Sequence, residues 1–229
     1  MSPDRKSHNH FFTHRVISEV LDVYNIPMKR RLFLGGMVVL PFATPTLAKS
    51  KPLSLDEISQ YLNSLGTAKG AFTQVDPDGK LSKGMLYIKR PGQMRFEYAA
   101  PNNTLVIVKQ SRIAIFDQRS NAGPQQYPLW KTPLHFLLKR NINLTTSGVI
   151  TSHQYDGTST SITAHNPEHP NHGNIKLVFK NSPIELGQWI VTDESGRKTT
   201  INLGKLNKEA YIPSRLFDID LITNKSDKR

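Results

Sequence analysis

Not one cysteine occurs among the 229 residues. Disulfides, zinc-thiolate sites, thiol nucleophiles and a lipid-modified cysteine anchor are thereby excluded. Acidic residues are scarce too, 18 Asp and Glu against 30 Lys and Arg, which leaves a formal net charge of +12. The signatures of common enzymes are missing: there is no G-x-S-x-G, no phosphate-binding G-x-x-x-x-G-K-[ST], no G-x-G-x-x-G and no H-E-x-x-H. A mean hydropathy of -0.43 argues against a multi-span membrane protein. The one long uncharged stretch, Leu32 to Ala48, is interrupted by Gly35, Gly36, Pro41 and Pro45, a poor composition for a membrane-spanning helix.

What that stretch resembles is a secretory signal. Lys29, Arg30 and Arg31 precede the apolar run, and Thr46 and Ala48 are small residues at the -3 and -1 positions of a peptidase site. The expectation is a leader over 1–48, with its signal peptide at 28–48 and cleavage after Ala48, followed by one domain over 49–229. Arg30-Arg31-Leu32-Phe33-Leu34 also fits the twin-arginine pattern, which would mean export in the folded state. An ordinary basic n-region and the general secretory route are the preferred reading. Residues 1–27 precede an alternative start at Met28 and are left out of the fold. A basic exported chain suits anionic lipid or an acidic protein surface better than nucleic acid, since its basic residues are spread along the chain.

Past the leader, Ser54-Leu55-Asp56-Glu57 is a capping-box sequence, and Leu55, Ile58, Leu62 and Leu65 follow at helical spacing up to Gly66. A helix over about 55–65 is predicted. After Gly70 the period becomes two and turn residues recur. Pro77-Asp78-Gly79, Pro91-Gly92 and Pro101-Asn102-Asn103 separate alternating segments at 72–75, 84–90 and 94–98, and further strands are expected at 105–109 and 113–116. Thr132 to Arg140, with Pro133 in its first turn, reads as a short helix. Strands are expected again at about 145–151, 159–164, 175–180, 186–193, 197–204 and 214–222, the last because Phe217, Ile219 and Leu221 alternate with Asp218 and Asp220. The sum is a mainly β chain: a strongly curved antiparallel sheet or open barrel with helices against its concave face.

Two constellations carry possible chemistry. His165, Glu168, His169 and His172 lie close in sequence and have the donors of a divalent-metal site, but their Pro- and Asn-rich setting reads as a solvated loop. Alternation puts Arg90 on the face of Leu86 and Ile88. If that face looks inward, the guanidinium needs partners, and backbone carbonyls at the end of a covering helix would suit its five donors. Alternatively Arg90, just before a Pro-Gly turn, ends its strand in water. Alternation alone favours the second reading.

The ordered set Gly70-Ala71-Phe72-Thr73-Gln74, Gly84-Met85-Leu86-Tyr87-Ile88-Lys89-Arg90-Pro91-Gly92, Phe96-Glu97-Tyr98-Ala99-Ala100-Pro101 and Thr132-Pro133-Leu134 with Leu137-Leu138 resembles the periplasmic outer-membrane lipoprotein carrier proteins, LolA. The likeness runs over about 55–140 and thins afterwards to Asp193, Gly196 and the alternation of Ile201 and Leu203. It implies an unclosed β-barrel (half-barrel) with helices covering an apolar cavity that takes the acyl chains of lipoproteins. No enzyme activity and no cofactor are implied.

In that family, cargo is received from an inner-membrane lipoprotein-releasing ABC transporter and passed to an outer-membrane acceptor; the carrier is expected to be a monomer that binds no nucleic acid. Arg90 falls on the arginine that holds the lid closed. Leu86, Ile88, Met94 and Phe96 fall on cavity positions, and Leu134, Leu137 and Leu138 on the lid. Two departures follow. His135 stands where the lid has an aliphatic residue, and the chain stops soon after the expected 217–221 strand, so an extra C-terminal strand found in some members is expected to be missing. The anchored acceptor of the family, LolB, needs a lipidated cysteine, which favours the soluble carrier. A periplasmic domain that senses lipid or lipoprotein on the same half-barrel fold is the alternative.

Overall fold

A computed structural model describes residues 51–117, 123–146 and 148–226. The expected leader, 1–48 with its signal peptide and cleavage site, lies outside the described residues. Helix α1 spans Leu55–Ser64 and begins at a complete capping box: Ser54 Oγ accepts from the Glu57 N–H at 3.2 Å, and Glu57 Oε2 accepts from the Ser54 N–H at 2.7 Å. Among the described residues eleven strands follow, β1 Thr67–Val75, β2 Leu81–Lys89, β3 Gln93–Tyr98, β4 Thr104–Lys109, β5 Arg112–Asp117, β6 Gln125–Pro128, β7 Ile150–Tyr155, β8 Ser159–His165, β9 Asn174–Asn181, β10 Ile184–Thr192 and β11 Lys198–Leu203.

All the strands form one antiparallel sheet in the order β6-β5-β4-β3-β2-β1-β11-β10-β9-β8-β7. β6 and β7 are its edges, so the sheet stays open rather than closing as a barrel. Its curvature is visible in one aromatic pair. β3 and β10 stand four strands apart, about 19 Å along a flat sheet, yet the rings of Phe96 and Trp189 meet edge to face at 6.3 Å between centroids. Only a strongly bent sheet brings those two together. Gly84 permits part of the close packing on the inner face, because a Cβ there would lie 2.8 Å from the Phe72 ring and 2.1 Å from the Glu97 carbonyl oxygen.

Parity sorts the side chains of β2 to β5 between two cores. Leu86, Ile88, Met94, Phe96, Val108 and Ile113 point inward and join α1, a pair of 3-10 turns at Leu129–Lys131 and Pro133–Leu138, and Trp189. Leu105, Ile107, Ala114 and Phe116 point outward and join Ile212, Phe217 and Ile219.

That second core corrects the expected strand at 214–222. Ser214–Phe217 is a 3-10 turn and Ile219–Ser226 is helix α2. Phe217 and Ile219 are buried, but Leu221 is 43% exposed, which a strand with one buried face would not allow. The cause lies in Asp218, whose Oδ1 accepts from the Leu221 N–H at 3.0 Å and so starts a helix where alternation suggested a strand. The expected strand at 145–151 is displaced as well, with β7 beginning at Ile150. Asn143 Oδ1 accepts from the N–H and the hydroxyl of Thr145 and holds the chain in a turn. Strand β6 had no sequence signal of its own; it pairs with β5 in the register Ile113 opposite Tyr127.

Candidate functional site

The inner face of the sheet is wholly apolar where β2 and β3 pair. Leu86 lies opposite Phe96 and Ile88 opposite Met94, and all four side chains are buried. Phe72 packs edge to face on Phe96 at 5.4 Å and on Tyr98 at 5.1 Å. Tyr98 closes that end by donating to Gln74 Oε1 at 2.6 Å, and burial pushes its phenol well above the ordinary tyrosine value.

Over this face lie α1 and the segment 129–144. Leu137 and Leu138 are buried in the same cluster as Leu86, Ile88, Met94 and Phe96, and Leu134 packs against it half-buried. His135 is half-buried beside them. Its Nδ1 lies 2.9 Å from the Thr132 carbonyl oxygen, and burial pushes its pKa down. The sheet and its cover therefore share one side-chain cluster: the leucines of the cover occupy the space that the curved sheet encloses.

Arg90 fastens the cover. It follows the last residue of β2, and its backbone N–H donates to the Gly66 carbonyl at 2.7 Å. Its guanidinium reaches two segments at once. Nη1 donates to the Leu62 carbonyl, in the last turn of α1. Nη2 donates to the Lys139 carbonyl and, at 3.3 Å each, to Asn63 Oδ1 and the Arg140 carbonyl. The last turn of α1 contains no basic residue of its own, so Arg90 supplies the positive charge that the carbonyl end of a helix favours. No carboxylate pairs with Arg90 among the described residues. Burial accordingly lowers its pKa from the ordinary arginine value, though a guanidinium remains protonated at any physiological pH. Of the two readings of Arg90, the structure takes the inward one.

The polar residues of α1 complete the attachment, and sequence reasoning missed them. Asn63 Nδ2 donates to the Ile142 carbonyl at 2.8 Å while its Oδ1 accepts from the Ile142 N–H at 2.9 Å. Ser59 Oγ donates to the Leu55 carbonyl and accepts from the Leu144 N–H at 3.1 Å. Tyr61 Oη accepts from the Leu186 N–H at 3.0 Å, in β10. A signal was present: Ser59 and Asn63 are one turn apart, and Ser59 adjoins the Ile58 and Leu62 positions of the apolar stripe, where a small polar residue can reach a neighbouring backbone.

The histidine-rich loop does something else. No three His, Cys, Asp or Glu side chains converge among the described residues. His169 and His172 instead stack at 4.8 Å and flank the Trp130 ring at 5.5 and 5.6 Å, so the β8–β9 loop touches the segment that covers the sheet.

An open antiparallel sheet, with an apolar inner face under a cover hydrogen-bonded through Arg90, Asn63 and Ser59, is a half-barrel. The chain belongs to the family described as outer membrane lipoprotein carrier protein LolA, whose model matches residues 63–220. An outer-membrane lipoprotein carrier protein of Chromohalobacter salexigens is 22% identical over 202 residues, covering 84% of this chain and 93% of that one. An uncharacterized protein of Rickettsia prowazekii is 25% identical over 194 residues, covering 83% and 87%. The crystal structure of a LolA superfamily protein from Nitrosomonas europaea superposes with a TM-score of 0.42 at 10% identity, covering 74% of this chain and 99% of that one.

Proposed function

We propose that this protein is a periplasmic carrier that takes the acyl chains of lipoproteins beneath the lid and ferries them from an inner-membrane ABC transporter to the outer membrane. The observation that carries the reading is the attachment of the lid: a single guanidinium, held only by carbonyl and amide oxygens, joins α1 and the 139–140 segment over an apolar face. Each methylene removed from water contributes about 0.8 kcal/mol, so acyl chains bind such a face through area alone. Leu134, Leu137 and Leu138 occupy the same space, and lid and cargo therefore compete. Opening transfers the lid leucines outward and returns the Arg90 guanidinium to water; closing expels the cargo.

The test presents the purified protein to spheroplasts displaying newly made lipoprotein together with their transporter. The expected result is a water-soluble, one-to-one complex that forms only with ATP. If an acylated peptide binds but no lipoprotein is released, the protein is a lipid-sensing domain on the same fold rather than a carrier.

A further inference from the structure

The segment that covers the inner face has two sides of opposite character. Leu129, Phe136, Leu137 and Leu138 are buried, whereas Trp130, Lys131, Lys139 and Arg140 are exposed. No acidic residue stands between Asp117 and Asp156 in the sequence, so the three cations of the exposed side have no carboxylate on their own segment. The elements packed against the segment add Glu168, in the β8–β9 loop, and Asp56 and Glu57, in the first turn of α1 and so at the end away from Arg90. The cover of the outer face, 210–222, is composed differently, with Arg215 set against Asp218 and Asp220.

Trp130 is the large aromatic of this exposed side. It is 47% exposed, yet its ring is held in place: His169 and His172 flank it at 5.5 and 5.6 Å, and Lys131 Nζ lies 5.5 Å from its centroid. Tyr127, in the edge strand β6 that leads into the cover, is 48% exposed. Tryptophan and tyrosine, each with an apolar body and a polar edge, settle at the headgroup level of a bilayer, and Lys and Arg beside them are drawn to anionic headgroups. An acidic protein partner would account for the cations. A bilayer interface accounts for the cations and also for two amphipathic rings left half in water.

We propose that the exposed side of this cover is a docking surface for an anionic phospholipid bilayer, with the Trp130 ring at headgroup level and Lys131, Lys139 and Arg140 against the lipid phosphates. The surface goes beyond the carrier reading and does not rest on it, since neither cargo nor movement of the cover enters the contact.

Flotation of the full chain with vesicles of phosphatidylcholine and phosphatidylglycerol tests this, with tryptophan emission followed in vesicles whose acyl chains are brominated. The chain has two tryptophans, and Trp189 is only 1% exposed, so quenching by bromine reports Trp130 and not the expected leader, which contains none. Flotation and quenching are both expected with phosphatidylglycerol present, and neither with phosphatidylcholine alone. The affinity should fall about tenfold when salt is raised from about 0.05 to about 0.5 M. Lys131→Gln/Lys139→Gln should weaken the affinity read by quenching about 25-fold, about fivefold for each cation. Trp130→Ser should float less and, with only Trp189 left, show no quenching. Tyr211→Ser, at the 91% exposed aromatic of the outer cover, should change neither readout. Flotation without quenching of Trp130 overturns the proposal, for the leader or another surface then holds the vesicle. So does equal affinity for vesicles with and without phosphatidylglycerol, or an affinity untouched by Lys131→Gln/Lys139→Gln.

Discussion

The sheet has a cover on each face, and the two are fastened differently. On the inner face, α1 and the 129–144 segment are tied by Arg90, Asn63 and Ser59, mostly to backbone carbonyls and amides, and the guanidinium faces no carboxylate. On the outer face, the 210–222 segment is held by Phe217 and Ile219 in a closed apolar cluster and by three cations of the sheet. Arg95 donates to the Leu216 carbonyl at 2.7 Å while remaining paired with Glu97 at 2.7 Å. Lys89 donates to Ser214 Oγ at 2.7 Å, and Lys109 lies 3.8 Å from Asp218.

The difference bears on mobility. Arg95 keeps its counter-charge on the same strand whether or not the outer cover is in place. Arg90 has none, and its half-buried charge is stabilised only by carbonyl and amide dipoles of α1 and the 139–140 segment, so on the proposed carrier reading opening recovers hydration that burial removed. On the proposed carrier reading, the outer cover stays and the inner one lets go.

The comparison is broken most strongly at Phe217. Phe217→Ala empties a fully buried site of the outer core and is expected to cost about 3–5 kcal/mol in urea unfolding; a loss below 1 kcal/mol would mean that the outer cover contributes little to the fold. Arg90→Leu comes next. Losing hydrogen bonds to both lid segments is expected to cost about 1–3 kcal/mol, but the larger consequence is functional: the variant should load lipoprotein and fail to hand it on. Normal handover by Arg90→Leu in a transfer assay would remove Arg90 from the mechanism.

Asn63→Ala sharpens the same contrast at smaller scale. It leaves the backbone groups of Ile142 unpaired and is expected to cost about 1–2 kcal/mol, with faster amide exchange over 139–144 and unchanged exchange over 212–222. The smallest effect belongs to the start of α1, where Ser54→Ala should lose about 1 kcal/mol. Hydrogen bonds from the backbone and hydroxyl of Ser54 hold the Glu57 carboxyl below the usual carboxylate value. A depressed folded-state pKa means that the contribution of the cap is complete above the unfolded value and is lost as pH falls through the folded one. Proton NMR titration of Glu57 in the wild type and in Ser54→Ala should show that depression shrink without vanishing, because alanine keeps the backbone N–H that is its larger cause; an unchanged Glu57 value would separate the carboxyl from the Ser54 hydroxyl.

Several local features follow from neighbouring residues and were legible as such. The capping box of α1 forms as its four residues require. The Pro77-Asp78-Gly79 turn puts Gly79 at φ 79° and returns the chain so that the Asp76 N–H donates to the Lys80 carbonyl at 3.0 Å. The Pro91-Gly92 turn behaves likewise, with Gly92 at φ 73°. Where alternation was read without its capping residue, at Phe217, Ile219 and Leu221, it misled, because a period of two over five residues also fits a 3-10 turn leading into a helix.

Sequence by itself determined the hairpin succession of β1 to β5 and the helix that precedes it, since each rests on residues within a few positions of one another, and the family, whose short motifs follow in order along the chain. Only the tertiary structure decided what Arg90 touches, that Ser59 and Asn63 bind the segment near residue 142, and that residues 210–222 close the outer face. Those contacts join residues 27 to more than 100 positions apart, and side-chain pattern carries no record of such a partner. It is the bend of the sheet, accumulated over eleven strands, that brings the partners within reach.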